Sequence, residues 1–197
     1  MGRLRPEFAR FRIKSAPMPL PVTEVERELT HTRRVRYEGY KRADGLWDIE
    51  AHLSDTKNHD YRLKTGVRRA GQAIHDMWLR VTIDRAFVIR DATASADAVP
   101  YPGGCEAAAP AYRKLVGLSL IKDFRRKTRE VLGGVQGCTH LTEMLGGLPT
   151  AAIQTFAGET SEESADGAKP FQLDQCLALD TGGDTVKQWY PKWHRAK

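Results

Sequence analysis

The chain has 197 residues, 41% hydrophobic and 28% charged, enough for one globular domain with a real core. No apolar run approaches a membrane span, and the basic N-terminus lacks the apolar stretch of a secretory signal, so a cytoplasmic protein without membrane contact is expected. The net charge of +6 comes without a helix-turn-helix, zinc-finger or RNP-type motif and reads as a solvated basic surface rather than a nucleic-acid interface.

Residues 1–22 are basic and punctuated by Pro6, Pro17, Pro19 and Pro21, which predicts an extended arm. Residues 28–42 alternate as a strand, and Asp44-Gly45 is a hairpin turn signal. In the next strand, 46–53, Trp47, Ile49, Ala51 and Leu53 share one face, and Asp48, Glu50 and His52 share the other. Residues 54–73 are polar, carry Gly66 and Gly71, and predict a loop or irregular strand. Residues 76–83 alternate again, with Met77, Leu79, Val81 and Ile83 opposite Asp76, Trp78, Arg80 and Thr82. A tight turn at Asp84-Arg85 leads into a strand over 86–93.

After Pro100–Gly104 the pattern turns helical, from Ala107, then over 122–132 with Phe124 and Val131 inward, closed by Gly133-Gly134. Further helices are expected over 139–144 and 151–157. Residues 158–170 are acidic and small and read as a linker or mobile loop. The tail, 171–197, predicts a hairpin around Gly182-Gly183 that packs back on the domain. The fold class is therefore α+β: residues 23–157 form an antiparallel meander packed on one side by C-terminal helices.

Acid–base residues crowd between positions 31 and 84. His31, flanked by Arg33 and Arg34, is a candidate neutral base, because neighbouring cations lower an imidazole pKa. Asp48, Glu50 and His52 share a strand face beside Tyr40 and Trp47, which are large enough to wall a pocket. His75 and Asp76 are adjacent on a strand and so point to opposite faces, which argues against a pair between them and leaves one to face a pocket while the other binds a turn. Cys138, at a predicted helix start, is a candidate thiolate or metal ligand, with Thr139 as a plain N-cap reading of the same motif. His140 and Glu143 share a helix face. Three widely spaced cysteines, Cys105, Cys138 and Cys176, do not make a disulfide framework.

Taken together, several segments resemble an uncharacterised bacterial family, the domain-of-unknown-function family DUF2889, over most of residues 17–195. They are His31-Thr32-Arg33, Gly39-Tyr40 through Asp44-Gly45-Leu46-Trp47-Asp48-Ile49-Glu50, His75-Asp76-Met77, Ile83-Asp84, Gly137-Cys138-Thr139-His140-Leu141 and Asp174-Gln175-Cys176-Leu177-Ala178-Leu179. The resemblance implies an enzyme of lignin-derived or phenylpropanoid aromatic catabolism. A second likeness, to iron–sulfur scaffold proteins of the IscU and SufU type, runs through Asp76, Ile83-Asp84, Ile89-Arg90-Asp91-Ala92, Gly104-Cys105 and Cys138. It lacks the first cysteine of those scaffolds, where His75-Asp76 stands.

The function expected is a cofactor-free lyase that cleaves a carbon–carbon bond of a small aromatic substrate by acid–base chemistry of retro-aldol type, releasing an aldehyde. His31 or His75 serves as base, Arg33 or Arg80 stabilises negative charge, and Asp48 orients a histidine. Asp76 completes the catalytic set, while Tyr40, Trp47, Glu50 and Trp78 contact substrate. A homo-oligomer is expected. The alternatives are a metal-binding or scaffold protein holding zinc or iron through Asp76, Cys105, Cys138 and His140, and a basic nucleic-acid-binding module.

Overall fold

The computed structural model describes Leu20, residues 24–157 and residues 168–196. The expected N-terminal arm, apart from Leu20, and the 158–167 part of the expected linker lie outside the described residues. The frame is a four-stranded antiparallel sheet of β1 (His31–Lys41), β2 (Trp47–Lys57), β5 (Ala73–Ile83) and β6 (Ile89–Ala98), in the order β1-β2-β5-β6. A two-stranded hairpin, β3 (Tyr61–Leu63) with β4 (Gly66–Arg68), fills the β2–β5 connection. The helical layer comprises a 3-10 helix (Glu106–Leu115), α1 (Phe124–Leu132), α2 (Thr139–Leu145) and α3 (Leu148–Phe156). The mixed architecture read from the sequence is thus the observed one.

Alternation explains the layers. Trp47, Ile49, Ala51 and Leu53 of β2, with Met77, Leu79, Val81 and Ile83 of β5, are all but inaccessible and form the floor of the core. Tyr112 and Leu115 of the 3-10 helix, Phe124 and Leu132 of α1, Leu141, Met144 and Leu145 of α2, and Leu148, Ala152 and Phe156 of α3 close it from above. Apolar or small residues four apart on α1, Phe124, Thr128 and Leu132, are its buried side. The other sheet face is half exposed and polar.

Two glycines set how closely α3 approaches the edge strand β1. A Cβ on Gly39 would lie 1.9 Å from Thr155 Oγ1, and one on Gly147 would lie 2.4 Å from the Tyr37 ring. Only a residue without a side chain lets these backbones meet.

Three expectations are corrected. The segment after Leu53 is no loop at first: β2 runs on to Lys57, in register with β1 to its end (His31↔Lys57). The final sheet strand starts at Ile89 instead of Ala86, because the Asp84 carboxylate accepts from the Ala86 and Val88 amides and holds a turn with Phe87 at φ 59°. The tail around Gly182-Gly183 forms a short helix, α4 (Asp184–Trp189), in place of a hairpin. Leu173 and Val186 are buried in this tail and stand outside the main core cluster.

Candidate active site

The core face of β2 does not end on an apolar residue. Asp55 continues the odd-numbered series 47, 49, 51, 53 and is 4% exposed at its side chain. Antiparallel register puts Arg33 of β1 directly across from it on one side and His75 of β5 on the other. These three side chains form a row across three strands, on the side that the helices cover. His31, two residues before Arg33, shares that face.

The Asp55 carboxylate is fully occupied. Its Oδ1 meets His31 Nε2 at 2.9 Å and accepts from Arg33 Nε at 2.8 Å; its Oδ2 accepts from Arg33 Nη2 at 2.7 Å and meets His75 Nδ1 at 3.0 Å. A carboxylate offers about four acceptor positions, and all are used here. Burial pushes the Asp55 pKa up, but the hydrogen bonds from Arg33 and His31 outweigh it and hold the group at about 2. The ionised carboxylate can only accept, so His75 carries its proton on Nδ1 and leaves Nε2 as a bare lone pair. By the same logic His31 donates from Nε2 and exposes Nδ1.

The helical layer completes the group. α2 brings His140 over His75, with ring centroids 3.7 Å apart, and places Glu143 against Arg33, Nη1 to Oε2 at 2.5 Å. Their spacing of three residues puts both on one side of a seven-residue helix. The start of α2 is pinned from below by the buried Tyr112. Its hydroxyl receives the Cys138 amide at 3.2 Å, donates to the Cys138 carbonyl at 2.9 Å, and lies 2.7 Å from Thr142 Oγ1. Cys138 therefore serves through its backbone at the N-cap position, where no side-chain cap is made.

Electrostatics favour neutral imidazoles. Burial, and then the charge of His140, push the His75 pKa down, with Asp55 opposing. Burial, and then Arg33, push His140 down. Exposure rises from Asp55 at 4% through His75 at 13% to His31 at 38% and Glu143 at 47%, so the cluster opens to solvent at the His31 and Glu143 side.

Of the expected catalytic residues, the structure brings together His31, Arg33 and His75. Asp48 does not orient a histidine: it faces the other side of the sheet, accepts from Thr82 Oγ1 at 2.6 Å and pairs with Arg42. Asp76 lies on that outer face too, with His52 Nε2 at 2.6 Å, and Arg80 pairs there with Glu50 at 3.6 Å. Trp78 stacks on His52 at 3.9 Å and donates to Asp97. Trp47 walls no pocket, being buried in the core against Phe156, while Tyr40 is exposed beside Glu38. Asp55, His140, Glu143 and Tyr112 complete the site although sequence reasoning gave Asp55 and Tyr112 no part. The signal for Asp55 was parity: an acid on the apolar face of a strand must find partners.

For a metal, the ligand set Asp76, Cys105, Cys138 and His140 does not assemble, because the sheet separates Asp76 from His140. Among the described residues, the group whose ligand atoms converge, within 4.8 Å, is Asp55, His75 and His140. It fits a cation poorly, since Arg33 occupies both Asp55 oxygens and His75 fills the last position.

No curated protein and no solved structure matches the chain, so the IscU and SufU likeness gains no support. A family model does match, over residues 31–154, a span that holds every member of the cluster from His31 to Glu143. With more than half of its length matched, the chain belongs to the family described as protein of unknown function, DUF2889.

Proposed function

We propose that the chain is a cofactor-free lyase that breaks a carbon–carbon bond in a lignin-derived or phenylpropanoid phenol and releases an aldehyde. The observation that carries the reading is the Asp55–His75 pair: a neutral imidazole, oriented through Nδ1, with Nε2 free to take a proton. The aromatic substrate comes from the family resemblance rather than from these residues.

The step balances without oxidant or reductant. His75 Nε2 removes the proton of a substrate hydroxyl. The oxygen pair forms a carbonyl as the adjacent carbon–carbon bond breaks. The bonding pair moves onto the carbon left behind, which needs a conjugated electron sink, and that carbon regains a proton from the imidazolium. Among the described residues, the bonds of Arg33 to Glu143 and Asp55 leave one N–H on each of Nη1 and Nη2, and these can stabilise the transient oxyanion. The stacked His140 stands next to the base and is a second group able to carry the proton.

The test is an aldehyde-release assay over lignin-derived phenols that carry a hydroxymethyl group. His75→Gln is expected to lower turnover roughly 10²-fold or more while leaving the melting temperature close to that of the parent. Full activity in both His75→Gln and His31→Ala removes the mechanism.

A further inference from the structure

Beyond the acid–base cluster lies a wide-open surface cavity of about 480 Å³ between the edge strand β1 and α3. Tyr37 and Gly39 line it from the strand, and Thr150, Ala151, Gln154 and Thr155 line it from the helix. Among the described residues, no charged side chain is among its walls.

The cavity and the cluster lie along the same face of the edge strand β1. Arg33, Val35 and Tyr37 follow one another on the same face of β1, so the Arg33 and Tyr37 backbones are about 13 Å apart at the usual strand rise. Val35 between them is an exposed aliphatic. On the helical side, Glu143 holds Arg33, and the next residue, Met144, accepts the Tyr37 hydroxyl at 2.8 Å. Strand and helix therefore run together from the histidines to the cavity. Because Gly39 and Gly147 carry no side chains, α3 sits close against the strand and the Tyr37 ring forms part of the wall.

We infer that this cavity binds the non-reacting body of an elongated, uncharged, ring-bearing substrate whose far end reaches the histidine cluster, an inference that rests on the lyase reading of that cluster. The phenol ring of Tyr37 and the methyl of Ala151 suit an apolar ring. The Thr150 and Thr155 hydroxyls donate to main-chain carbonyls of their own helix region, Gly147 and Ala151, which leaves their oxygens as acceptors. The Gln154 amide adds donors and an acceptor. Such a lining accepts a ligand hydroxyl. Among the described residues it supplies no cation for a carboxylate or phosphate. The ligand class is thus a neutral phenol of two rings or equivalent length, with its second ring in the cavity.

The test uses 4-phenoxyphenol as the neutral two-ring probe and 4-phenoxybenzoate as the charged control, titrated calorimetrically into the full chain. Saturable binding of the phenol, and weaker binding of the benzoate, are expected. Ala151→Phe, which fills the cavity, and Thr150→Trp, which crowds its exposed rim without touching the core, should each weaken phenol binding at least tenfold. Val135→Ser, at an exposed position outside both sites, should leave it unchanged. Equal binding to the parent and Thr150→Trp, or no saturable binding to the parent, overturns the inference. So does self-association of the parent by sedimentation that Thr150→Trp abolishes, since the cavity is then a contact between copies. Probe binding with this pattern in a protein that releases aldehyde from no phenol removes the lyase reading and leaves the cavity assignment standing.

Discussion

Asp55→Asn is the substitution that most directly probes the cluster. The carboxylate takes four hydrogen bonds, from His31, Arg33 twice, and His75. An asparagine oxygen can accept two of them, and its amide then confronts the remaining donors. Losing two bonds to a charged group costs about 3 kcal/mol, at roughly 1.5 kcal/mol each. Titration gives an independent figure. A carboxyl moved from its ordinary 3.8 to about 2 in the folded protein contributes roughly 2 kcal/mol at neutral pH. Because the folded value is the lower one, this contribution is complete above the ordinary value and is lost as pH falls toward 2. Urea unfolding should therefore show Asp55→Asn less stable than the parent by about 2–3 kcal/mol at pH 7. The gap should narrow as pH drops below 4, since only the parent loses a titrating group there. Turnover should fall roughly 10²-fold or more as His75 loses its fixed tautomer. Equal stability at pH 7, or a gap that does not change between pH 5 and pH 3, refutes the account of Asp55 as the ionised centre of the cluster.

Other consequences follow from the same geometry. The acid limb of the kcat/KM profile should lie below the ordinary imidazole value of 6.5, because burial pushes His75 down; a limb above 6.5 excludes His75 as the base. The same displacement makes stability fall as pH drops below 6.5, where the unfolded chain binds protons that His75 and His140 resist. Gly39→Ala should lower thermal stability by about 1–3 kcal/mol through overpacking against Thr155, and an unchanged melting temperature means α3 can retreat from β1. Zinc should bind no more tightly to the parent than to His140→Ala, and dialysis against chelator should leave the melting temperature unchanged. A zinc equivalent that survives gel filtration in the parent and is absent from His140→Ala reverses the reading of a saturated carboxylate.

The sheet was legible because its central strands alternate without interruption, as in Trp47 to Leu53 and Met77 to Ile83. Helices α1 to α3 were legible from spacing and from Gly133 as a stop. The extension of β2 was not, because Ser54-Asp55-Thr56-Lys57 shows no apolar partner to Leu53. What keeps that segment in the sheet is polar, and it comes from residues 20 or more positions away in sequence. Asp48 stands beside Trp47 in sequence, yet parity places it with Thr82 and Arg42 on the open face. Gly182-Gly183 looked like a turn between strands; here Gly183 stands at the N-cap of α4. His140 and Glu143 were seen to share a helix face, but nothing local says which strand end that face meets.

The placement of the cluster also explains why polar residues occur at the end of the core. Buried ion pairs are poor stabilisers, and replacing them with packed apolar groups is often neutral or favourable. An aliphatic residue at position 55, with small apolar partners on β1 and β5, would continue the floor that Trp47, Ile49, Ala51 and Leu53 begin. Instead the row is Arg33, Asp55 and His75, roofed by His140 and braced by Glu143. The arrangement is specific in three respects that packing alone does not require. It leaves one imidazole nitrogen bare, it keeps that imidazole neutral by burial, and it sets a guanidinium beside it. Each is a requirement for removing a hydroxyl proton and stabilising the oxyanion that results. On the lyase reading, the stability given up by a polar row in place of an apolar one is tied to proton transfer at the point where the sheet and α2 meet.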